Sequence, residues 1–445
     1  MLASLFSLSL CAAEIRNTKV ERQYKITEGF VAVSLDITFT NFGDKPAKEY
    51  VLSFDPREAA HMNTVIVAMN RKHIRNTQKS LPIKDQNGQK VVTLLSPLEP
   101  GASQTIYVGY TLGQYLLFTT NGVTLKNLRV DCYFNTTIGF VSPYKTDETS
   151  LEISGISKNS ITSMTKNNDI TQKSNTISMQ SIKTVPKNNE LYVEYFIYKA
   201  LPYVTAINTS THISHWGISK QETFMEVHND GPEFVGEFNR IDFRESSNCY
   251  FQTVPVRPPT DSYSFWANDE SGQLQREIHL EGQDLSIPLR GPVLPSWKVT
   301  YTAGWTVKTS NFLRTEGKTF VFSAPLFPKP YVDRGASVSH IRSEFVFPEG
   351  AKIKDITYPP AINGRHHFGE EVCNLDFKGR TVVVIEAERL SSIDETTVQI
   401  EYTIEGKFAL YKIAYLSTGF GAIFLAIVVL RKIDLSIPSF EKNNK

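Results

Sequence analysis

Hydrophobic and polar positions alternate with a period of two along most of the chain. In Phe30–Thr40, Val31, Val33, Leu35, Ile37 and Phe39 fall on one face and Ser34, Asp36, Thr38 and Thr40 on the other. Ile106, Val108, Tyr110 and Leu112 repeat the pattern, as do Val398, Ile400, Tyr402 and Ile404. A longer run sets Trp297, Val299, Tyr301, Ala303, Trp305 and Val307 against Lys298, Thr300, Thr302 and Thr306. Each predicts a strand with one buried and one wet face. Helical periodicity before residue 405 is poor. Asn41–Pro46, Leu98–Ser103 and Asn229–Pro232 supply the Gly, Pro and Asn punctuation of short strands joined by turns. The pattern predicts an all-β region built as β-sandwiches.

The strand Thr105–Thr111 (TIYVGYT) resembles Thr397–Thr403 (TVQIEYT), which points to two similar modules. We place the first at residues 14–205 and the second at 206–405. Residues 157–189 are rich in Ser, Thr, Asn and Lys, and predict a long surface hairpin or a mobile loop. The pattern changes near the end. Ile413–Leu430 is uncharged, and with Lys412 inside it the apolar stretch runs over 408–430. A bilayer span needs ~20 apolar residues, and a lysine at its edge can snorkel to the interface. Arg431 and Lys432 follow at once and put residues 431–445 on the cytosolic side. Residues 1–13, apolar and ending Cys11-Ala12-Ala13, read as a cleaved signal peptide, although the basic start is missing. Together these features predict a single-pass type I membrane protein.

Composition narrows the function. Lys plus Arg is 47 and Asp plus Glu is 46, so no global field attracts nucleic acid. Removal of the leader leaves Cys132, Cys249 and Cys373, too few for a disulfide framework. Asn135-Thr136-Thr137 and Asn208-Thr209-Ser210 are candidate glycosylation sites at Asn135 and Asn208. The familiar nucleophile-elbow, zincin, phosphate-loop and dinucleotide motifs are absent. Adjacent His366 and His367, with Glu370, Glu371 and Cys373 nearby, are a weak metal candidate, because neighbouring strand residues face opposite ways. His212 and His215, flanking Trp216, read as structural. Pro255–Trp266 is read as a rigid connection between strands, with a binding edge as the alternative. We assign no catalytic residue, metal ligand or cofactor. Inside the span, Ala414, Thr418, Ala422 and Ala426 recur every four residues and Ser417 with Gly421 forms a second row. Small residues at this spacing let another helix approach closely.

Several segments taken in order resemble one family. They are Ser214-His215-Trp216-Gly217, Gly236–Phe243, Pro288–Trp297, Gly304-Trp305-Thr306, Phe347–Ala351 and Ile356–Pro360. Their order and spacing, over about residues 210–435, are similar to the ribophorin I family, subunits of the oligosaccharyltransferase complex. Gly291–Trp297 departs from the family's usual Phe-Pro-x-Phe-Gly-Gly-Trp, and the short tail resembles the fungal-type form. The resemblance implies a non-catalytic subunit in the endoplasmic reticulum membrane, with most of the chain in the lumen. The complex transfers a dolichol-linked oligosaccharide to Asn of Asn-x-Ser/Thr. The implied partners are its catalytic multi-span subunit, its other membrane subunits and nascent secretory polypeptides. The competing readings are an unrelated type I adhesion or receptor ectodomain and a membrane-anchored carbohydrate-active enzyme.

Overall fold

The computed structural model describes residues 14–432 except 87, 168, 184–188, 246–248, 275–277, 360, 363, 374, 375 and 377. The expected leader and residues 433–445 of the expected tail lie outside the described residues. The described chain is all-β up to Ile404 apart from two six-residue α-helices and a few 3-10 turns, and it ends in the helix Lys407–Lys432.

The alternating runs form strands because one face of each is buried. Val31, Val33, Leu35, Ile37 and Phe39 are all sealed from solvent in the strand Val31–Asn41. That strand sits between Ile15–Ile26 and Ser103–Leu112 in a seven-stranded sheet. A four-stranded sheet built on Glu190–Ile197 and Val130–Thr137 covers it, with Phe134 edge-on to Tyr24 at 5.7 Å. Residues 157–189 contribute to both sheets. Ile161–Met164 pairs with Glu190–Ile197, and the hairpin of Ile170–Lys173 with Thr176–Ile182 extends the larger sheet. Ile177 and Met179 from this hairpin are buried in the core.

Among the described residues, the strands from Pro202 onward pair with one another, and isolated bridges Asn76–Glu395 and Val123–Phe234 cross to the first region. An eight-stranded sheet has Pro202–His212 antiparallel to Ile218–Asn229 and parallel to Ser337–Val346. Two four-stranded sheets, built on Phe251–Arg257 and on Thr397–Ile404, share its core. Tyr301, Ala303, Trp305 and Val307 point inward from Lys298–Lys308 as the alternation requires. Trp297 does not. It is 41% exposed and precedes the strand, because Ser296 at φ 64° closes a turn in which the Trp297 N–H donates to the Leu294 carbonyl. Of the stretch Pro255–Trp266, residues 258–262 form the connection, while its two ends belong to the strands Phe251–Arg257 and Tyr263–Asp269.

The two β regions meet closely. A Cβ on Gly29 would lie 2.2 Å from the Gly335 carbonyl oxygen and 2.5 Å from that of Pro202, so only glycine fits there. Thr64 N–H donates to the Arg389 carbonyl, Glu395 N–H to that of Arg75, and the Asn63 amide to Ser337. Cys249 belongs to the second region by sequence but is buried in the first region's core, where its thiol donates to the Leu128 carbonyl.

Candidate functional site

The terminal helix has 26 residues, about 39 Å at 1.5 Å per residue. Its uncharged stretch Ile413–Leu430 gives ~27 Å, close to the hydrocarbon thickness of a bilayer. Leu410–Lys432 is long and apolar enough to span a membrane, and none of it is buried against the β regions.

The helix is held where it begins. Lys412 Nζ lies 2.5 Å from Asp376 Oδ1 and 2.8 Å from Glu349 Oε2. Both carboxylates are nearly sealed, with side-chain exposures of 1% for Asp376 and 4% for Glu349. Asp376 also accepts from Arg380 Nε at 2.8 Å and from the Cys373 N–H at 3.1 Å, and Glu349 accepts from the Lys378 N–H at 2.8 Å. Burial pushes the Asp376 carboxyl up, but the bonds from Lys412 and Arg380 outweigh it and hold it below the ordinary carboxylate range. Lys352 pairs with Glu405 just before the helix. Lys412 is thus a clamped charge rather than a freely snorkelling one. The lone cation at the edge of the apolar run was the visible signal; its partners, 36 and more residues upstream, were not.

The small residues of the helix face open space. Nothing lies within 4 Å of a Cβ placed on Gly421, and Ala414, Ser417, Thr418, Ala422 and Ala426 are all exposed. Thr418 Oγ1 donates to the Ala414 carbonyl at 2.8 Å, which satisfies the hydroxyl within the helix.

The two sequons differ. Asn208 is exposed on the outer face of the eight-stranded sheet, between Phe224 and Arg342 of the neighbouring strands. Asn135 is half-buried within Val130–Thr137, paired with Tyr192; its Oδ1 is sealed from solvent and has no hydrogen-bond partner among the described residues.

The histidines divide as well. His366 and His367 lie on the edge strand Arg365–Glu371 and are not brought together with Cys373. Instead His212, Glu371 and Cys373 each place one donor atom within 4.8 Å of the others. That is one donor fewer than a closed zinc site takes. The Cys373 thiol donates to Glu371 Oε1 at 3.0 Å, and this bond together with burial raises the thiol's pKa. His215 is wedged edge-on against Phe320 at 4.5 Å and is hydrogen-bonded through Nε2 to the Tyr402 hydroxyl at 2.8 Å; burial lowers its pKa.

Two features were not legible beforehand. Glu58 is buried in the first region and accepts from the hydroxyls of Tyr24 and Tyr110, both at 2.8 Å, and of Thr136 at 3.1 Å. A cleft of about 600 Å³ lies between the β regions, lined by Tyr195, Phe196, Tyr198, Lys199, Asp333 and Arg334 among others.

An all-β protein with one terminal apolar helix, clamped to its β region at the point of entry, defines a class of membrane-anchored proteins. The chain belongs to the ribophorin I family, whose sequence model matches residues 15–431. It is 23% identical over 457 residues to dolichyl-diphosphooligosaccharide–protein glycosyltransferase subunit 1 of Caenorhabditis elegans, covering 98% of this chain and 76% of that one. It is 24% identical over 468 residues to subunit 1B of Arabidopsis thaliana, covering 98% and 97%. Among solved structures, an M1 zinc metallopeptidase from Deinococcus radiodurans aligns over 44% of this chain and 43% of its own at 12% identity, with a TM-score of 0.24, too loose to define a shared fold.

Proposed function

We propose that this chain is a non-catalytic subunit of an oligosaccharyltransferase complex, anchored in the endoplasmic reticulum membrane with its β regions in the lumen. The observation that carries the reading is the family match over residues 15–431, β regions and span together. The clamp at Lys412 gives it a physical role: the β regions are held in a fixed relation to a helix whose small-residue face is free to pack on partner helices. The glycosyl transfer falls to the multi-span subunit, and this chain scaffolds it and presents the nascent acceptor. The cleft beside Tyr198 is the place we assign to the acceptor chain. Asn208 is the better presented of the two sequons for a glycan of the chain's own.

Depletion tests the reading. Under-occupied Asn-x-Ser/Thr sites on many unrelated secreted proteins are expected. Normal occupancy in cells lacking the chain and any paralogue overturns it. A photo-crosslinker placed at Tyr198 is expected to capture nascent chains.

A further inference from the structure

We infer that the end of the second β region from which the helix departs is a lipid-contacting surface, with the Trp216 turn seated in the headgroup layer of the leaflet the helix enters. The argument begins with depth. The uncharged run starts at Ile413, so Lys412 stands at the boundary between hydrocarbon and headgroups. A lysine side chain reaches ~6 Å, and the headgroup layer is only ~5–7 Å deep on each side. Glu349 and Asp376, which hold the Lys412 ammonium, therefore lie in that layer, and so do the loops that carry them.

Trp216 lies at the same end of the fold. Glu349 follows the strand Ser337–Val346, which runs parallel to Pro202–His212 with His212 opposite Val346. Both strands thus finish toward the membrane. The chain leaving His212 turns through Ile213–Gly217, fixed by the Ile213 N–H donating to the Val346 carbonyl at 2.9 Å. His215 ties the turn to Tyr402, on a strand that ends at Ile404, three residues before the helix begins.

The chemistry of this end suits lipid. Trp216 is 95% exposed, whereas Trp305 is 1% exposed. Its backbone N–H donates to Ser214 Oγ at 3.2 Å, and Gly217 at φ 95° completes the turn, so the indole is presented by an organised tip. Ile218, 49% exposed, follows Gly217 and opens the strand Ile218–Asn229. Val372, 70% exposed, lies in the loop that supplies Asp376 to the clamp. Lys308, paired across from Ile218, and Lys318 are exposed at the same end. An apolar ring with a polar N–H, flanked by lysines, is what the membrane interface favours. The partner is a lipid surface because the patch is continuous with a helix that itself enters lipid.

None of the four tryptophans lies in the helix, so quenching of tryptophan fluorescence by brominated lipid reports only on the β regions. The full chain is reconstituted in nanodiscs of phosphatidylcholine and of its brominated counterpart. Bromination is expected to quench the wild-type emission, and Trp216→Phe to remove most of that quenching. Equal quenching in both chains, or none in the wild type, overturns the proposal. A photo-reactive phenylalanine at position 216 in native membranes is expected to yield lipid adducts. Protein adducts without lipid adducts overturn it in favour of a partner subunit.

Discussion

Glu58 in the first β region and the pair Glu349 and Asp376 in the second are buried carboxylates satisfied in different ways, although Asp394 of the second region also takes its hydrogen bonds from inside, from Ser391. Glu58 of the first region takes its donors from inside that region, from the hydroxyls of Tyr24, Tyr110 and Thr136. Because Thr136 belongs to the covering sheet, the carboxylate ties two layers together. Glu349 and Asp376 of the second region take a donor from outside it, the ammonium of Lys412 on the terminal helix. Burying a carboxylate is costly unless donors surround it. Where the donors are internal the result is a self-contained core. Where one is external, the fold is completed only by docking another element.

The largest expected effect is on the self-contained side. Glu58→Ala leaves the Tyr24 and Tyr110 hydroxyls without their acceptor, while Thr136 keeps the Tyr24 oxygen at 3.1 Å, and it destabilises the first region by roughly 3–5 kcal/mol. Thermal unfolding followed by limited proteolysis checks this, with early cleavage before residue 200 and later cleavage beyond it. Lys412→Met leaves the second region folded but strips its buried acids of the outside donor. Because Lys412 is 30% exposed and Arg380 still serves Asp376, we expect a smaller loss, about 2 kcal/mol. It should appear as faster hydrogen exchange in residues 347–350 and 378–380 with membrane insertion unchanged.

Gly29→Ala probes the seam between the regions. Its Cβ would meet backbone oxygens that cannot rotate away, costing about 1–2 kcal/mol. The expected readout is a thermal transition that splits in two. Acid separates the regions more finely. The folded pKa of Asp376 lies below its ordinary value of 3.8. Its contribution is therefore complete above pH 3.8 and is lost as pH falls through the folded value. Asp376→Asn should remove that part of the acid response of the helix docking and leave neutral-pH insertion unaltered. The smallest effect on the chain itself is expected from Gly421→Leu, whose side chain meets open space in the isolated molecule. It should leave the melt untouched and reduce recovery of partner subunits in mild detergent; unchanged recovery would argue against the packing face.

The strands were legible because one wet and one dry face leave a two-residue rhythm, as in Val31–Phe39 and Tyr301–Val307. The rhythm misled at Trp297, where counting ran one residue into a turn. It was faint in 170–182, where Ile177 and Met179 are the buried pair in a polar hairpin. The two sequons look alike as text, but strand position exposes Asn208 and half-buries Asn135. The clamp was half legible. Lys412 was conspicuous, yet its acids were two among 46, and only folding brings them to it. The His212 cluster escaped for a related reason: His212 and Glu371 end strands separated by two others in the sheet, and Cys373 follows Glu371 in the loop beyond.

A clamp at one point of a helix also fixes its azimuth. At 100° per residue, Gly421 lies ~180° around the axis from Lys412, with Ala414 and Ser417 on either side of it. Steering Lys412 inward toward Glu349 and Asp376 therefore turns the smoothest side of the rod outward. On the proposed reading, the neighbour with which the rod mates among the lipid tails is set by two acids that stay outside the hydrocarbon.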